Sequence, residues 1–245
     1  MRPNHKRAEV NGRSRTRPSP NINPVRARLA EQARFIRAWL DNPATTGAVS
    51  PSGRFLARSM AQHVDPHEDG LVIELGPGTG PVTQALIKRG IAEERLVLVE
   101  YDADFCRLLE RRFPRAKIIR GDALNLSRTL AENIHGSVAA IVSSLPLLNV
   151  PDAQRLALLD EAFKLMGAKG RFVQFTYGLV SPMPKQTKGS ASVAFTAQAS
   201  APVWLNLPPA RVWVYRPAEG LQRAKRPAPK ALLKRIAGEI RLRTR

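Results

Sequence analysis

The stretch LVIELGPGTGPVTQALIKRG, from Leu71 to Gly90, changes character twice along its length. It opens as a short apolar run with one acid, Glu74, which is typical of a buried strand. Three glycines follow, and Pro81 then begins a segment with helical spacing, as proline does in a first helical turn. A strand, a glycine-rich turn and a helix in this order bring backbone amides close to a ligand at the helix N-terminus.

The rest of the central chain repeats this alternation of short apolar runs with helical patterns. Beyond the first strand, at 71–75, we predict strands at 95–100, 116–122, 138–144, 171–177, 202–207 and 211–216, helices at 81–89, 102–113 and 151–166, and a loop over 178–200. The alternation favours an α/β fold with a doubly wound, mostly parallel seven-stranded sheet that ends in an antiparallel hairpin.

The net charge of +19 is concentrated towards the two ends of the sequence. Residues 1–40 and residues 216–245 each hold ten Lys/Arg and two acids, whereas residues 41–215 hold nineteen basic and sixteen acidic residues. Two basic arms on a nearly neutral domain favour a polyanionic partner, either nucleic acid or an anionic membrane surface. Solubilising tails are the alternative. Nothing in the pattern indicates an obligate protein partner.

The composition divides the chain into four parts. We predict a disordered basic tail over 1–24, a basic amphipathic helix over 25–42, a catalytic domain over 43–216 and a basic C-terminal tail over 217–245. A helix with arginines on one side and large apolar residues on the other can lie in a membrane interface. Its candidate membrane-binding residues are Arg28, Arg34, Phe35, Arg37 and Trp39. The alternative is a helix packed on the domain with its arginines in water.

Cysteine and histidine usage narrows the chemistry. The single cysteine, Cys106, excludes an internal disulfide and fits a reducing compartment. The four histidines lack metal-ligand spacing, so no metal site is predicted.

The glycine spacing distinguishes between two classes of cofactor. A dinucleotide turn reads G-x-G-x-x-G, whereas this turn reads G-x-G-x-G with an acid two residues ahead. That spacing is the pattern of Rossmann-like methyltransferases that use S-adenosylmethionine. The predicted cofactor-binding residues of the turn are Glu74, Gly76, Pro77, Gly78, Thr79 and Gly80.

Two further acids end the next two predicted strands. Glu100 is placed to accept the ribose hydroxyls, and Tyr101 to pack on the adenine face. Asp122 and Ala123 are placed to receive the adenine amino group. Ser143, at the end of the fourth strand, completes the predicted cofactor set. These residues follow consecutive strands, and open α/β sheets bind their ligands at the carboxyl ends of strands.

Residues 43–216 resemble the soluble bacterial phosphatidylethanolamine N-methyltransferases, a class I branch similar to the ribosomal RNA adenine dimethyltransferases. The resemblance is carried by VIELGPGTGPVTQALIKRG (72–90), LVEYDADFCRLLERRFP (98–114), GDALNL (121–126), SSLPLLN (143–149), FVQFTYG (172–178) and VWLNLPPARVW (203–213). It implies successive methylation of an aminophospholipid head group by a peripheral enzyme. It also implies that the N-terminal amphipathic helix contributes to membrane attachment.

The segment Ser144-Leu145-Pro146-Leu147 separates two kinds of acceptor. The related rRNA enzymes carry Asn-Leu-Pro followed by Tyr or Phe there, which activates the adenine amino group and stacks on the base. Here serine replaces the amide and leucine replaces the ring. An aliphatic amine needs neither group, because its lone pair is localised once its proton has been removed.

The candidate catalytic residues are Ser144 and Tyr177, which could orient the amine or pass its proton to water. The candidate substrate-binding residues are Leu145, Pro146, Lys185 and Arg211, with Lys188 as a further phosphate partner. Trp204, Leu205 and Leu207 are expected to pack within the closing hairpin, and the alternative is that they line the entry for the acyl chains.

The leading hypothesis is a cytoplasmic enzyme, bound peripherally to the inner face of the cytoplasmic membrane, that methylates phosphatidylethanolamine towards phosphatidylcholine. Alternatives are a methyltransferase for another amino lipid such as an ornithine lipid, and an adenine N6-methyltransferase acting on RNA. A third alternative is a cofactor-binding scaffold without catalysis.

Overall fold

The structure is a computed structural model that describes residues 51–131, 133–167, 169–177, 180–184, 193–206 and 208–218. The predicted N-terminal tail and membrane helix, residues 219–245 of the predicted C-terminal tail, and Lys185, Lys188 and Leu207 lie outside the described residues.

Within the described residues, five α-helices and seven strands alternate along the chain. The helices are α1 (Pro51–Ala61), α2 (Pro81–Arg89), α3 (Ala103–Arg112), α4 (Leu126–Leu130) and α5 (Asp152–Met166). The strands are β1 (Leu71–Leu75), β2 (Leu96–Glu100), β3 (Lys117–Arg120), β4 (Val138–Ser143), β5 (Arg171–Thr176), β6 (Phe195–Ala199) and β7 (Arg211–Pro217). Short 3₁₀ helices lie at Glu93–Arg95 and Leu147–Asn149.

The strands form one seven-stranded sheet in the order β3-β2-β1-β4-β5-β7-β6. The first five strands of that order are parallel, and β7 pairs antiparallel with both β5 and β6. Strand β1 lies centrally, with Leu75 opposite Val99 on one side and Ser143 on the other. The predicted doubly wound α/β sheet with an antiparallel closing pair is confirmed.

Apolar side chains cover both faces of the sheet. Val72 of β1 packs into a core under α1, α2 and α3, whereas Ile73 and Leu75 pack into a second core under α4 and α5. A strand buried on both faces reads as a continuous apolar run rather than as an alternating one, which is why β1 was recognisable from its sequence.

Local sequence signals explain where two of the helices begin. Gly80 precedes α2 in the left-handed conformation and Pro81 takes its first position, while Gly90 ends it. Asp102 caps α3, because its side chain accepts hydrogen bonds from the backbone N–H groups of Asp104 and Phe105.

The closing hairpin corrects one prediction. The strand predicted near 202–207 is wrong: Val203 makes only an isolated bridge to Ala210, and the partner of β7 is β6, inside the predicted 178–200 loop. All of β6 except partly buried Phe195 is exposed, so this strand is held by backbone pairing and lacks the apolar pattern that would predict it. The apolar residues Trp204 and Leu205 are exposed instead of packed in the hairpin.

Candidate active site at the carboxyl ends of the parallel strands

The predicted site residues of β1, β2, β4 and β5 lie along one edge of the sheet. Because these strands are parallel and in register, Glu74, Glu100, Ser143 and the residue after Thr176 all reach the same edge. Strand β7 runs the other way, and its first residue, Arg211, therefore also lies there. One end of the sheet thus gathers residues that are far apart in the sequence.

The turn after β1 has a backbone that requires glycine. Gly76, Gly78 and Gly80 all have positive φ angles, of 67°, 58° and 87°. A β-carbon on Gly80 would lie 2.5 Å from Cε2 of Phe113. Side chains are excluded at Gly80 by both conformation and space. The turn therefore packs its backbone closely against Phe113.

Glu74 is a fully buried carboxyl group at the base of this turn. The Thr83 hydroxyl donates a hydrogen bond to its Oε2 over 2.7 Å, and its Oε1 has no hydrogen-bond partner among the described residues. Burial raises the pKa of Glu74 to about 8, the Thr83 hydrogen bond opposes that rise, and the nearby Glu100 charge adds to it. Glu74 therefore holds a proton at neutral pH when nothing is bound beside it.

Glu100 joins the first two turns of the site. Its Oε2 accepts a hydrogen bond from the Gly78 N–H over 3.0 Å, and its Oε1 accepts from the N–H groups of Tyr101 and Asp102. The carboxylate is buried and shapes the loop that follows β2. The predicted contact with ribose hydroxyls stays a prediction.

The adenine-side candidates lie after β2 and β3. Asp122 accepts hydrogen bonds from the Leu124 N–H and the Asn125 side chain, which hold the turn before α4. Ala123 is buried in the second core, while Tyr101 is exposed. The ring of Tyr101 is accessible to a ligand, as its predicted role requires.

The segment after β4 is held by backbone hydrogen bonds and by the side-chain amide of Gln174, for which the sequence predicted no role. The Ser144 N–H donates to the Leu75 carbonyl over 2.9 Å, and the buried Ser143 hydroxyl accepts weakly from the Leu145 N–H at 3.4 Å. Gln174 of β5 donates from Nε2 to the Leu145 carbonyl over 2.9 Å. A glutamine between the apolar residues Val173 and Phe175 was the only available signal. Gln174 therefore positions this segment.

Position 147 offers no surface on which a base could stack. The Leu147 side chain is buried in the second core, and its neighbour Leu148 is exposed. The backbone here turns in a short 3₁₀ helix that Pro146 precedes. Position 147 therefore has a leucine instead of an aromatic residue, and the leucine side chain points into the core.

Tyr177 follows β5 and pairs with a residue from the β6–β7 connection. Its ring packs edge-on against Phe175, with the centroids 5.3 Å apart. Burial raises the pKa of the Tyr177 phenol above its usual value, and a hydrogen-bonding interaction with the Asn206 side chain partly opposes this. The Tyr177 hydroxyl is therefore protonated at neutral pH.

No role was predicted from the sequence for Asn206, as for Gln174. It is fully buried, its Nδ2 donates to the Pro208 carbonyl over 2.7 Å, and its Oδ1 has no hydrogen-bond partner among the described residues. Asn206 lies in the stretch 203–213 that carries part of the family resemblance, but its proximity to Tyr177 arises from the fold. Together the two side chains form a polar pair at the carboxyl end of β5.

Several known proteins are similar to this chain in sequence. A family model described as ribosomal RNA adenine dimethylase matches residues 53–150. The ornithine lipid N-methyltransferase of Singulisphaera acidiphila is 28% identical over 145 residues, which make up 58% of this chain and 76% of that protein. The ribosomal RNA small subunit methyltransferase A of a Synechococcus species is 35% identical over 138 residues, 51% of this chain and 46% of that protein. The chain thus spans about half the length of the second relative.

Two solved structures share the fold. A TehB-like S-adenosylmethionine-dependent methyltransferase from Corynebacterium glutamicum has a TM-score of 0.51 at 18% identity, over 80% of this chain and all of that one. Phosphoethanolamine N-methyltransferase 1 from Haemonchus contortus has a TM-score of 0.55 at 12% identity, over 80% of this chain and 50% of that one. The chain is an S-adenosylmethionine-dependent methyltransferase, and its residues 53–150 are similar to the ribosomal RNA adenine dimethylases.

The residues of the methyltransferase fit this cofactor. The glycine turn leads directly into the start of α2, and a helix N-terminus is a favourable place for a ligand. Glu74 Oε1 is a buried acceptor without a partner among the described residues, and the ammonium group of the methionine moiety would satisfy it. When bound, the cofactor supplies an electrophilic methyl group on a sulfonium. Nowhere in the described ranges do three or more His, Cys, Asp or Glu side chains gather as metal ligands.

The substrate side of the methyltransferase lies at β5 and β7. Arg211 stands opposite Thr176, and its Nε is buried without a hydrogen-bond partner among the described residues. A guanidinium group whose Nε is buried without a partner among the described residues is suited to bind a phosphate or carboxylate. The predicted substrate role of Arg211 stays a prediction, as do those of Leu145 and Pro146.

Proposed function

We propose that this methyltransferase transfers methyl groups successively to the primary amine of phosphatidylethanolamine, at the surface of an anionic membrane. The observation that carries the proposal is the segment after β4, where Leu147 packs into the core and Ser144 stands in place of an amide. Adenine N6 needs both an acceptor for its amino hydrogens and a ring that stacks on the base. Loss of stacking alone costs about 1–3 kcal/mol per base.

An aliphatic amine presents a different difficulty, since its ammonium form has a pKa of about 10 and carries no free lone pair. A desolvated site beside a sulfonium lowers that pKa and favours the neutral amine. Transfer then breaks the bond between sulfur and the methyl carbon and forms a bond from nitrogen to carbon. The amine proton leaves to water. Much of the catalysis is alignment of donor and acceptor.

The pair formed by Tyr177 and Asn206 is suited to hold such an amine. Asn206 Oδ1 is a buried acceptor with no partner among the described residues, and an N–H group from the substrate would satisfy it. The Tyr177 phenol is protonated at neutral pH, so it orients the amine through its oxygen lone pairs rather than acting as a base. Its ring face also suits the methylated ammonium groups of later steps.

The head-group phosphate requires a cation. Arg211 lies at the same edge of the sheet as Tyr177 and has a buried Nε available for hydrogen bonding. We assign the phosphate to Arg211, with Lys185 as a second partner from the sequence. Arginine can bind phosphate through two parallel hydrogen bonds, which fixes the distance from the phosphate to the amine.

Membrane attachment is assigned to the basic segments. Residues 1–40 have a net charge of +8, and residues 216–245 have the same. Each basic residue near an anionic leaflet contributes about 1 kcal/mol. Removal of residues 1–40 should therefore weaken recruitment to anionic vesicles. Unaltered recruitment would show that the amphipathic helix has no such role. Across the described ranges, the helices are too short or too polar to cross a membrane.

The similarity to two kinds of relative supports other acceptors. The similarity to an ornithine lipid N-methyltransferase supports an amino lipid and does not select phosphatidylethanolamine. The family match over 53–150 and the similarity to ribosomal RNA methyltransferases favour adenine as the second candidate, together with the high positive charge.

The experiment is a competition between acceptors. Purified full-length protein is incubated with S-adenosylmethionine labelled in its methyl group and with vesicles of phosphatidylethanolamine, vesicles of ornithine lipid, or bacterial ribosomal RNA. We expect label in mono-, di- and trimethylated phosphatidylethanolamine. Label confined to ornithine lipid would keep the amino-lipid class and change the substrate. Label in RNA but in neither lipid would refute the proposal.

A further inference from the structure

Large apolar side chains are exposed on only part of the site edge. Among the described residues, the exposed large hydrophobic residues are Tyr101 (66%), Leu148 (56%), Val180 (76%), Trp204 (70%) and Leu205 (64%). Tyr101 follows β2 on the cofactor side. The other four follow β4, β5 and β6, and they form what we call the apolar rim. Exposed apolar clusters on a folded domain mark surfaces that contact a partner or a membrane.

The fold holds the apolar rim beside the site. Leu148 lies between β4 and the start of α5, and Val180 is two residues before Pro182, whose carbonyl accepts a hydrogen bond from Arg155 in the first turn of α5. Trp204 and Leu205 lie between Val203 and Ala210, which pair across the β6–β7 connection. Four side chains from three separate connections are therefore brought to the same end of the sheet.

The charge of the connections that carry the apolar rim favours a membrane as its partner. The connections that carry the rim, residues 144–151, 177–194 and 200–210, contain two lysines and no aspartate or glutamate. The connections on the cofactor side, in contrast, contain Asp102 and Asp122. An apolar surface on connections whose sequences contain no acid is complementary to an anionic lipid bilayer.

We propose that the apolar rim inserts into an anionic phospholipid bilayer and places the Tyr177 end of the sheet against the lipid head groups. The value of this contact for catalysis rests on the proposed function, because a lipid acceptor could then reach the site without leaving the membrane. Trp204 lies in the interfacial layer, where tryptophan is enriched in membrane proteins. The apolar rim shares no residue with the basic segment 25–42.

The test follows Trp204 directly. Trp39 and Trp213 are replaced by phenylalanine in the full-length chain, which leaves Trp204 as its single tryptophan. Vesicles of phosphatidylethanolamine and phosphatidylglycerol should shift its emission to shorter wavelength, and lipids brominated on their acyl chains should quench it. Emission that vesicles leave unchanged would overturn the proposal.

Binding measurements provide a second readout. The double variant W204S/L205S should partition about tenfold more weakly into the same vesicles at high salt, where the contribution of the basic segments is screened. Tyr101→Ser is the matched control, since it removes an equally exposed ring from the cofactor side and should leave vesicle partition unchanged. Equal partition of W204S/L205S and the unmodified chain would overturn the proposal. An equal melting temperature confirms that the double variant is folded.

These readouts are independent of methyl transfer. Quenching of Trp204 by brominated lipids, combined with no methylation of any lipid, would support the apolar rim and refute the proposed function. Methylated lipid, combined with unquenched Trp204, would support the proposed function and refute the rim.

Discussion

Binding of S-adenosylmethionine should release a proton from Glu74, and this release can be measured. Burial raises the pKa of Glu74 to about 8 in the protein alone, so the carboxyl group is protonated at pH 7. The ammonium group of the cofactor favours the ionised carboxylate beside it and lowers that pKa. Binding at pH 7 therefore requires Glu74 to lose its proton, and affinity should rise as the pH approaches 8.

The magnitude follows from two ionisations. At pH 7 a carboxyl group with a pKa of about 8 holds about 0.9 proton, and an α-ammonium group with a pKa of about 7.8 holds about 0.9. In the bound complex Glu74 is ionised and the α-ammonium group is protonated, so the two groups together hold one proton. Roughly 0.8 proton is therefore released for each cofactor bound. The same scheme gives an affinity that increases about eightfold from pH 6 to pH 7 and more slowly from pH 7 to pH 8.

Isothermal titration calorimetry in buffers of different ionisation enthalpy measures this release directly. Glu74→Gln is the matched control, because the amide preserves the shape of the side chain and cannot ionise. The variant should bind more weakly, release almost no proton, and show nearly constant affinity from pH 6 to pH 7. Equal proton release in the unmodified protein and in Glu74→Gln would refute this account of the site.

Three further predictions concern stability and turnover. The protein without cofactor should lose unfolding free energy between pH 4.5 and 8, by at most about 1.4 kcal/mol per unit, because folded Glu74 retains a proton that the unfolded chain has lost; thermal unfolding of Glu74→Gln should lack this slope. Gly80→Ala should cost about 1–3 kcal/mol more than Gly136→Ala in urea unfolding, since both have positive φ but only Gly80 faces Phe113. Tyr177→Phe should lower kcat about tenfold with the dissociation constant for S-adenosylmethionine unchanged, as rapid-quench and binding assays can check.

The sequence by itself determined the features that depend on short-range patterns. The order of β1, its glycine turn and α2 was readable because glycine conformation, a proline at the helix start and apolar spacing act within a few residues. The parallel strands were predicted to within about two residues of their ends, since β1, β2 and β4 are nearly continuous apolar runs. The placement of Glu74 and Glu100 at one edge followed from that order, because parallel strands end together.

Only the tertiary structure decided features that join distant segments. β6 has no apolar pattern and exists through its pairing with β7, so the residues near 202–207 were wrongly taken for the strand. Asn206 meets Tyr177 because β5 and β7 are neighbours in the sheet, and Gln174 holds Leu145 because β4 and β5 are neighbours. Likewise, the raised pKa of Glu74 is a property of its burial by many residues, and no neighbour in the chain specifies it.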